Sequence, residues 1–342
     1  MTPSRMALAV LPLLVAVLVW CAAGYLRRYR PPRPPIGVYR WSDIAVMIAS
    51  VVVAPFGYLA LPRIVVAVIF GVVLLFAIQL MLAPICGGRP ATAIALVLVG
   101  LTGVADLAGH AMLVVAGTDA ALFLALIGVA NLWAQSGMRA VQVAALAGLL
   151  AGYDLLATGL TDMMSRFAHE LNGLPYAPVF ALTSGPAAVS IGLGDLLMLV
   201  LYPLVATRCY GRRAGIIAAA AGVASVGLLD LLFALGTLST AVPFLTVLGP
   251  VIVIQQLYWR RRYPVERPVV NWLNGRDPAS SQPAGVPQLT GPLHPAGPIN
   301  ETPGSWLAVI DGRIVGRAGS PGRARRCARE AGYLAIPVVR QV

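Results

Sequence analysis

Four aspartates fall inside long apolar runs of this 342-residue chain: Asp106, Asp154, Asp195 and Asp230. An ionisable side chain at membrane depth costs about 2.5–3.5 kcal/mol even on mild insertion scales, so each is a candidate for function. Two such carboxylates brought together can do what one cannot. Like charges a few ångströms apart in a low dielectric cannot both ionise, so the pair shares a proton and offers a base and an acid at once. The ionised member can take a proton from water as it attacks a carbonyl, while the protonated member donates to the developing oxyanion. The pair titrates as a unit, so the two roles are not assigned to individual residues.

Neighbouring residues single out two of the four. Asp195 closes the run Ile191-Gly192-Leu193-Gly194-Asp195, where two glycines strip side chains from the backbone beside the acid and let another backbone approach. Asp154 follows Tyr153, whose hydroxyl is suited to a polar cavity while its ring shields the site from lipid. Downstream, Pro243-Phe244-Leu245 and Pro250 remove two backbone donors from the start of an apolar run and are expected to leave carbonyls free. Irregular backbone at that depth is tolerated only where it lines protein or water. Asp106 and His110 have the i,i+4 spacing of one helix face, the geometry of a polar pair or a proton relay. Asp230 and Asn131 read as interhelical hydrogen-bonding residues.

The elements that position these residues must be membrane helices. Of the residues, 58% are hydrophobic and 11% charged, against about 25% charged in a soluble domain. A crossing takes about 20 apolar residues, and runs near 6–26, 42–60, 64–83, 92–115, 119–135, 140–160, 187–207, 214–236 and 242–259 qualify. The expectation is an all-α polytopic fold of nine transmembrane helices over residues 1–262. At 1.5 Å of rise per residue, Asp154 would lie roughly 9 Å from one end of its span and Asp195 roughly 12 Å from the matching end of the next, at one depth.

All 25 basic residues are Arg. Fourteen of them, from Arg27 to Arg267, fall after odd-numbered spans, and only Arg5, Arg63 and Arg166 fall on the opposite side. The positive-inside rule then puts the N-terminus outside and the C-terminus in the cytoplasm. The net charge of +12 is thereby read as topology with some attraction to anionic lipid, and no nucleic-acid partner is required. The first run is read as a span and not a cleaved signal, because Trp20 is too bulky for a cleavage site and an Arg cluster follows. Cys21, Cys86, Cys209 and Cys327 have no metal-ligand or disulfide spacing.

Residues 263–304 are rich in Pro, Gly and Ser and read as a disordered linker. Residues 305–342 read as a small cytoplasmic ββαβ module. Its strands are expected at Trp306–Ile310 and Arg313–Val315, joined by an Asp311-Gly312 turn. A helix opens at Ser320-Pro321 and stops near Gly332, and an edge strand covers Ala335–Val339. This tail resembles a small module of unknown role appended to prokaryotic proteins.

Taken in order, the motifs of the membrane part resemble those of the presenilin and signal peptide peptidase family of GxGD intramembrane aspartyl proteases. That family carries Tyr-Asp on span six, Gly-x-Gly-Asp on span seven and Pro-Ala-Leu opening span nine of nine. The matching positions are Tyr153-Asp154, Gly192-Leu193-Gly194-Asp195 and Pro243-Phe244-Leu245. The resemblance implies that Asp154 and Asp195 are catalytic, that the other seven residues support the site or bind substrate, and that neither metal nor organic cofactor takes part. It further implies cleavage within transmembrane peptides or proteins, which backbone near Pro243 and Leu245 would hold extended by strand addition. The inferred orientation is similar to that of the signal peptide peptidase branch, in a prokaryotic cell membrane. Phe244 departs from the family's Ala and narrows the expected cleft. The 161–186 connection, with His169, Glu170 and Pro175, is a candidate gate; Asp162 and Arg166 look like loop-surface charges. Rival readings are a prepilin-peptidase-like enzyme, disfavoured by Leu196 and Leu197 where a Lys usually follows; a proton-coupled transporter using Asp106, His110 and Asp230; and a scaffold that binds membrane helices without cutting them.

Overall fold

The structure is a computed structural model that describes residues 3–31, 39–160, 170–171, 173–181, 190–237, 243–273, 275, 306–310, 313–330 and 338–341. The chain is mostly helical, with nine long helices among the described residues before 263. They are α1 (Pro3–Arg28), α2 (Trp41–Ala60), α3 (Arg63–Cys86), α4 (Gly88–Leu107), α5 (Ala111–Gln135), α6 (Ala140–Leu160), α7 (Leu193–Tyr210), α8 (Arg212–Ala234) and α9 (Leu245–Arg262). The first eight are long and apolar enough to cross a membrane. Helix α9 carries Gln255, Gln256 and three terminal arginines and falls outside that set. It packs like the rest, burying Leu245, Leu248, Gly249, Ile252, Gln256 and Trp259.

The pillar of the bundle is α7. From Met198 to Tyr210 all its residues are buried except Thr207, and it packs on α1, α5, α6, α8 and α9. Helix α2, with two buried residues, lies at the periphery. In lipid there is little hydrophobic gain from bringing helices together, so close packing and buried polar contacts must hold them. Asn131 of α5 donates to the Ala22 carbonyl of α1 at 3.1 Å, and Tyr25 of α1 donates to the Met81 carbonyl of α3 at 2.9 Å.

Three expectations require correction. The apolar stretch 92–115 is not one helix: α4 stops at Leu107, Gly109 takes the left-handed conformation at φ 73°, and His110 caps the next helix. Asp106 and His110 therefore share no helix face, and both are exposed. The seventh span does not begin at 187, because Ser190–Gly192 forms strand β2, antiparallel to β1 (Val179–Ala181), and the helix starts only at Leu193. The linker begins later than 263: residues 263–273 include a short helix, α10 (Val269–Leu273), and Arg267 donates to the carbonyls of Arg208 and Thr207 at the end of α7, at 2.6 and 3.0 Å.

The C-terminal unit is a three-stranded antiparallel sheet with one helix. Strands β3 (Trp306–Ile310), β4 (Arg313–Ala318) and β5 (Val338–Gln341) lie in the order β4-β3-β5, and helix α11 (Pro321–Glu330) covers the sheet through Ala324 and Ala328. Strand β4 runs three residues beyond the expected Val315, and β5 runs two beyond the expected Val339 in its edge place, while residues 335–337 lie outside the described residues. Ser320 accepts from the Arg323 amide as the helix cap. The Asp311-Gly312 turn lies outside the described residues.

Candidate active site

Helix α9 lies against α6 so closely that no side chain fits between them at Gly249. A Cβ built there would meet Ala151 Cβ at 2.6 Å and the Ala147 carbonyl oxygen at 2.9 Å. One turn away, Gly148 faces Val253, where a Cβ would be 3.3 Å from Cγ2. Residue numbers rise along α6 as they fall along α9, so the helices are antiparallel. Three residues beyond Ala151 stands Asp154, and about one turn before Gly249 stands Leu245. The Gly249 contact thus brings the Asp154 level of α6 to the first turn of α9.

Asp195 reaches the same place from α7. Its carboxylate lies near the Leu245 and Gly192 amides and within electrostatic reach of Asp154. Gly192 is the N-cap of α7 and Asp195 the third residue of its first turn, the position an acid takes in a capping box. The positive end of the helix dipole favours negative charge at this position. The motif's first glycine is explained locally, because a Cβ on Gly192 would sit 3.3 Å from Asp195 Oδ2. A Cβ on Gly194 would meet nothing within 4 Å, leaving open space beside the acid. Leu193 donates its amide to the Pro178 carbonyl at 2.9 Å, so the β1–β2 ladder runs straight into the helix that carries Asp195.

The remaining expected residues fall as follows. Tyr153 is half-buried, and its hydroxyl has no hydrogen-bond partner among the described residues. Phe244 and Leu245 are buried and Pro243 is half-buried. At this turn the Thr246 amide and hydroxyl both donate to the Pro243 carbonyl, at 3.1 and 2.6 Å, and the Leu248 amide donates to that of Phe244 at 3.0 Å, whereas Pro250 withholds its donor from the Thr246 carbonyl. Asp230 is buried on α8 with Oδ2 unpartnered among the described residues. Of the connection between α6 and α7, Asp162, Arg166 and His169 lie outside the described residues. Glu170 is exposed, and Pro175 precedes Tyr176, whose φ is 63°.

Two acids went unnoticed in the sequence. Asp119 sits mid-helix in α5 and accepts from the Ala181 amide of β1 at 3.0 Å. Its signal was hidden by placing a loop near 116–118. Glu266 accepts from the Ala140 and Val141 amides at the N-terminus of α6, at 3.1 and 3.0 Å, and reaches Gln256 of α9 and Tyr210 of α7, each at 3.4 Å. The three helices that converge on Asp154 and Asp195 are thus tied together again at their far ends by one carboxylate. A position in a Pro-rich stretch gave no hint of this.

Among the described residues, no group of three or more His, Cys, Asp or Glu side chains could hold a metal ion. The chain matches no protein-family model, no curated protein and no solved structure closely enough to identify a family.

Proposed function

We propose that this chain is an intramembrane aspartyl endopeptidase of the presenilin and signal peptide peptidase type, in which Asp154 and Asp195 share a proton and hydrolyse peptide bonds within transmembrane helices. The single observation that carries this reading is that Asp154 and Asp195 come within electrostatic reach of each other beside the first turn of α9, which the Gly249–Ala151 contact holds against α6. Water attacks the scissile carbonyl as the ionised aspartate removes its proton, and the protonated partner donates to the oxyanion. No cofactor is called for by this chemistry. In this reading α9 is the ninth span, the N-terminus is outside and the C-terminal unit cytoplasmic, in a prokaryotic cell membrane. Signal-peptide remnants or single-span proteins are the substrates and membrane lipids the surroundings. Nucleic acid has no role.

Helical substrates hide their carbonyls, so a segment must be held extended for attack. Backbone at 243–244 is already engaged, with the Pro243 carbonyl bonded to Thr246 and the Phe244 carbonyl to Leu248. The outer edge of β1 is engaged at Ala181 by Asp119. Ser190, exposed on β2, is where an extended substrate can add.

A second reading is favoured by one feature: Asp195 holds the third position of α7, where an acid serves the helix N-terminus, which a scaffold without catalysis would also need. Asp195→Asn separates the two. The amide keeps an acceptor for the cap but is no acid, so the protease reading expects a folded protein with cleavage of a single-span reporter abolished. A fully active Asn variant would refute it.

A further inference from the structure

Segment 176–181, which leads into the site, is fastened at both ends by two adjacent residues of α5. The Tyr176 amide donates to Thr118 Oγ1 at 3.1 Å, and the Ala181 amide donates to Asp119 Oδ1 at 3.0 Å. Between these points the chain turns through Tyr176, a non-glycine residue at φ 63°. That conformation is strained for an L-residue and persists only where its surroundings hold it. Here they do. The Tyr176 hydroxyl donates to the Val99 carbonyl of α4 at 2.6 Å. Its ring lies over Gly71 of α3, where a Cβ would be 3.2 Å from Cδ2, and its hydroxyl over Gly103 of α4, where a Cβ would be 2.8 Å away. The tyrosine is a peg in a socket made by two glycines, and the segment after it is laid along α5.

From Asp119 an unbroken series of short contacts leads to Asp195. Ala181 closes β1, which pairs in register with β2 as Val179↔Gly192, Phe180↔Ile191 and Ala181↔Ser190. The Leu193 amide bonds to Pro178, and Gly192 stands so near the acid that a Cβ on it would lie 3.3 Å from Asp195 Oδ2. Opposed residues of an antiparallel pair alternate between bonded and non-bonded. Ala181 therefore turns its amide away from β2, and that amide needs another acceptor in a setting where an unmet donor is costly. Asp119 provides it. A two-stranded ribbon of three residues a side is marginal by itself, so its place is set by what anchors it.

We propose that Asp119, with Thr118, is a positioning residue of the site: it fixes β1, and through β2 it fixes Gly192 and the carboxylate of Asp195. This rests on Asp195 being a catalytic acid. The role asks of Asp119 an acceptor and not an acid, which sets the test. Full-length protein in liposomes would be assayed for reporter cleavage as Asp119→Ala, Asp119→Asn and Thr118→Val, with hydrogen exchange of residues 173–195 followed by mass spectrometry on the same samples. Asp119→Ala is expected to lower kcat roughly 10- to 100-fold, the cost of a small misplacement of a reacting group, with KM little changed and faster exchange over 179–192. Asp119→Asn should restore both, and Thr118→Val should reproduce a smaller part of the loss, serving also if the Ala variant does not fold. The proposal is overturned if the Ala variant cleaves and exchanges like wild type, or if Asn is as impaired as Ala. If wild type cleaves no reporter, it is the protease reading that fails. The exchange data then decide the anchor alone: protection kept in Asn and lost in Ala supports it, and equal exchange in all three overturns it.

Discussion

Replacing Gly249 by alanine should separate α9 from α6 and cost activity out of proportion to the one methyl group added. The new Cβ would stand 2.6 Å from Ala151 Cβ and 2.9 Å from the Ala147 carbonyl oxygen. Carbon atoms settle about 3.5–4.0 Å apart, so the helices must part locally by about 1 Å. Backbone on one side of this contact cannot yield as a flexible side chain would. Leu245, one turn away, would move with α9 and shift the backbone beside Asp195. A misplacement of about 1 Å at a reacting group costs roughly 100-fold. The assay is reporter cleavage in liposomes, with thermal unfolding in detergent measured alongside to show that the variant folds. Ala151→Gly in the same chain removes the nearer clash and should recover part of the loss, while Ala151→Gly alone should do little. A folded Gly249→Ala protein with wild-type cleavage would refute the argument that this contact sets the site.

Gly192→Ala places a Cβ 3.3 Å from Asp195 Oδ2, a milder crowding that should lower kcat by roughly tenfold and leave the unfolding temperature nearly unchanged. Glu266→Ala deprives the first two amides of α6 of their acceptor and should destabilise the protein by about 1–3 kcal/mol, read as a lower unfolding temperature in detergent. Removing Arg139 should do far less, because its ion pair with Glu266 is long, at 3.6 Å, and its side chain is 56% exposed. A doubly labelled Ala147 and Val253 pair should report the α6–α9 distance as unchanged in the Arg139 variant and broadened in the Glu266 variant.

Much of this arrangement could be read from residue order, and the unread parts have physical causes. Helices were legible because a membrane span must be long, apolar and internally hydrogen-bonded, and eight helices among the described residues are long and apolar enough to cross a membrane. Boundaries were lost where apolar residues continued through a turn. Nothing in hydropathy separates Val104–Leu107 from Ala111–Val115, and only Gly109 at positive φ breaks the helix. Strand β2 was hidden for a related reason: Ser190-Ile191-Gly192 is as apolar as the helix it precedes, and its partner lies in a segment read as a loop. The glycines before Asp195 read as letting another backbone approach, but a Cβ on Gly192 meets only the Asp195 carboxylate, and one on Gly194 meets nothing within 4 Å among the described residues. Asp119 and Glu266 were missed because each binds backbone amides distant in sequence, Ala181 for one and Ala140 and Val141 for the other. Such pairings leave no spacing to recognise.

The measurement that bears most directly on the central claim is cleavage of a single-span reporter in reconstituted liposomes by wild type, Asp154→Ala and Asp195→Ala, with Asp106→Ala and Asp230→Ala as controls. The account predicts cutting within the reporter's membrane segment by the wild type and both controls, and none by Asp154→Ala or Asp195→Ala. Wild-type cutting that survives loss of either Asp154 or Asp195, or no cutting by any of the five across several reporters, would contradict it.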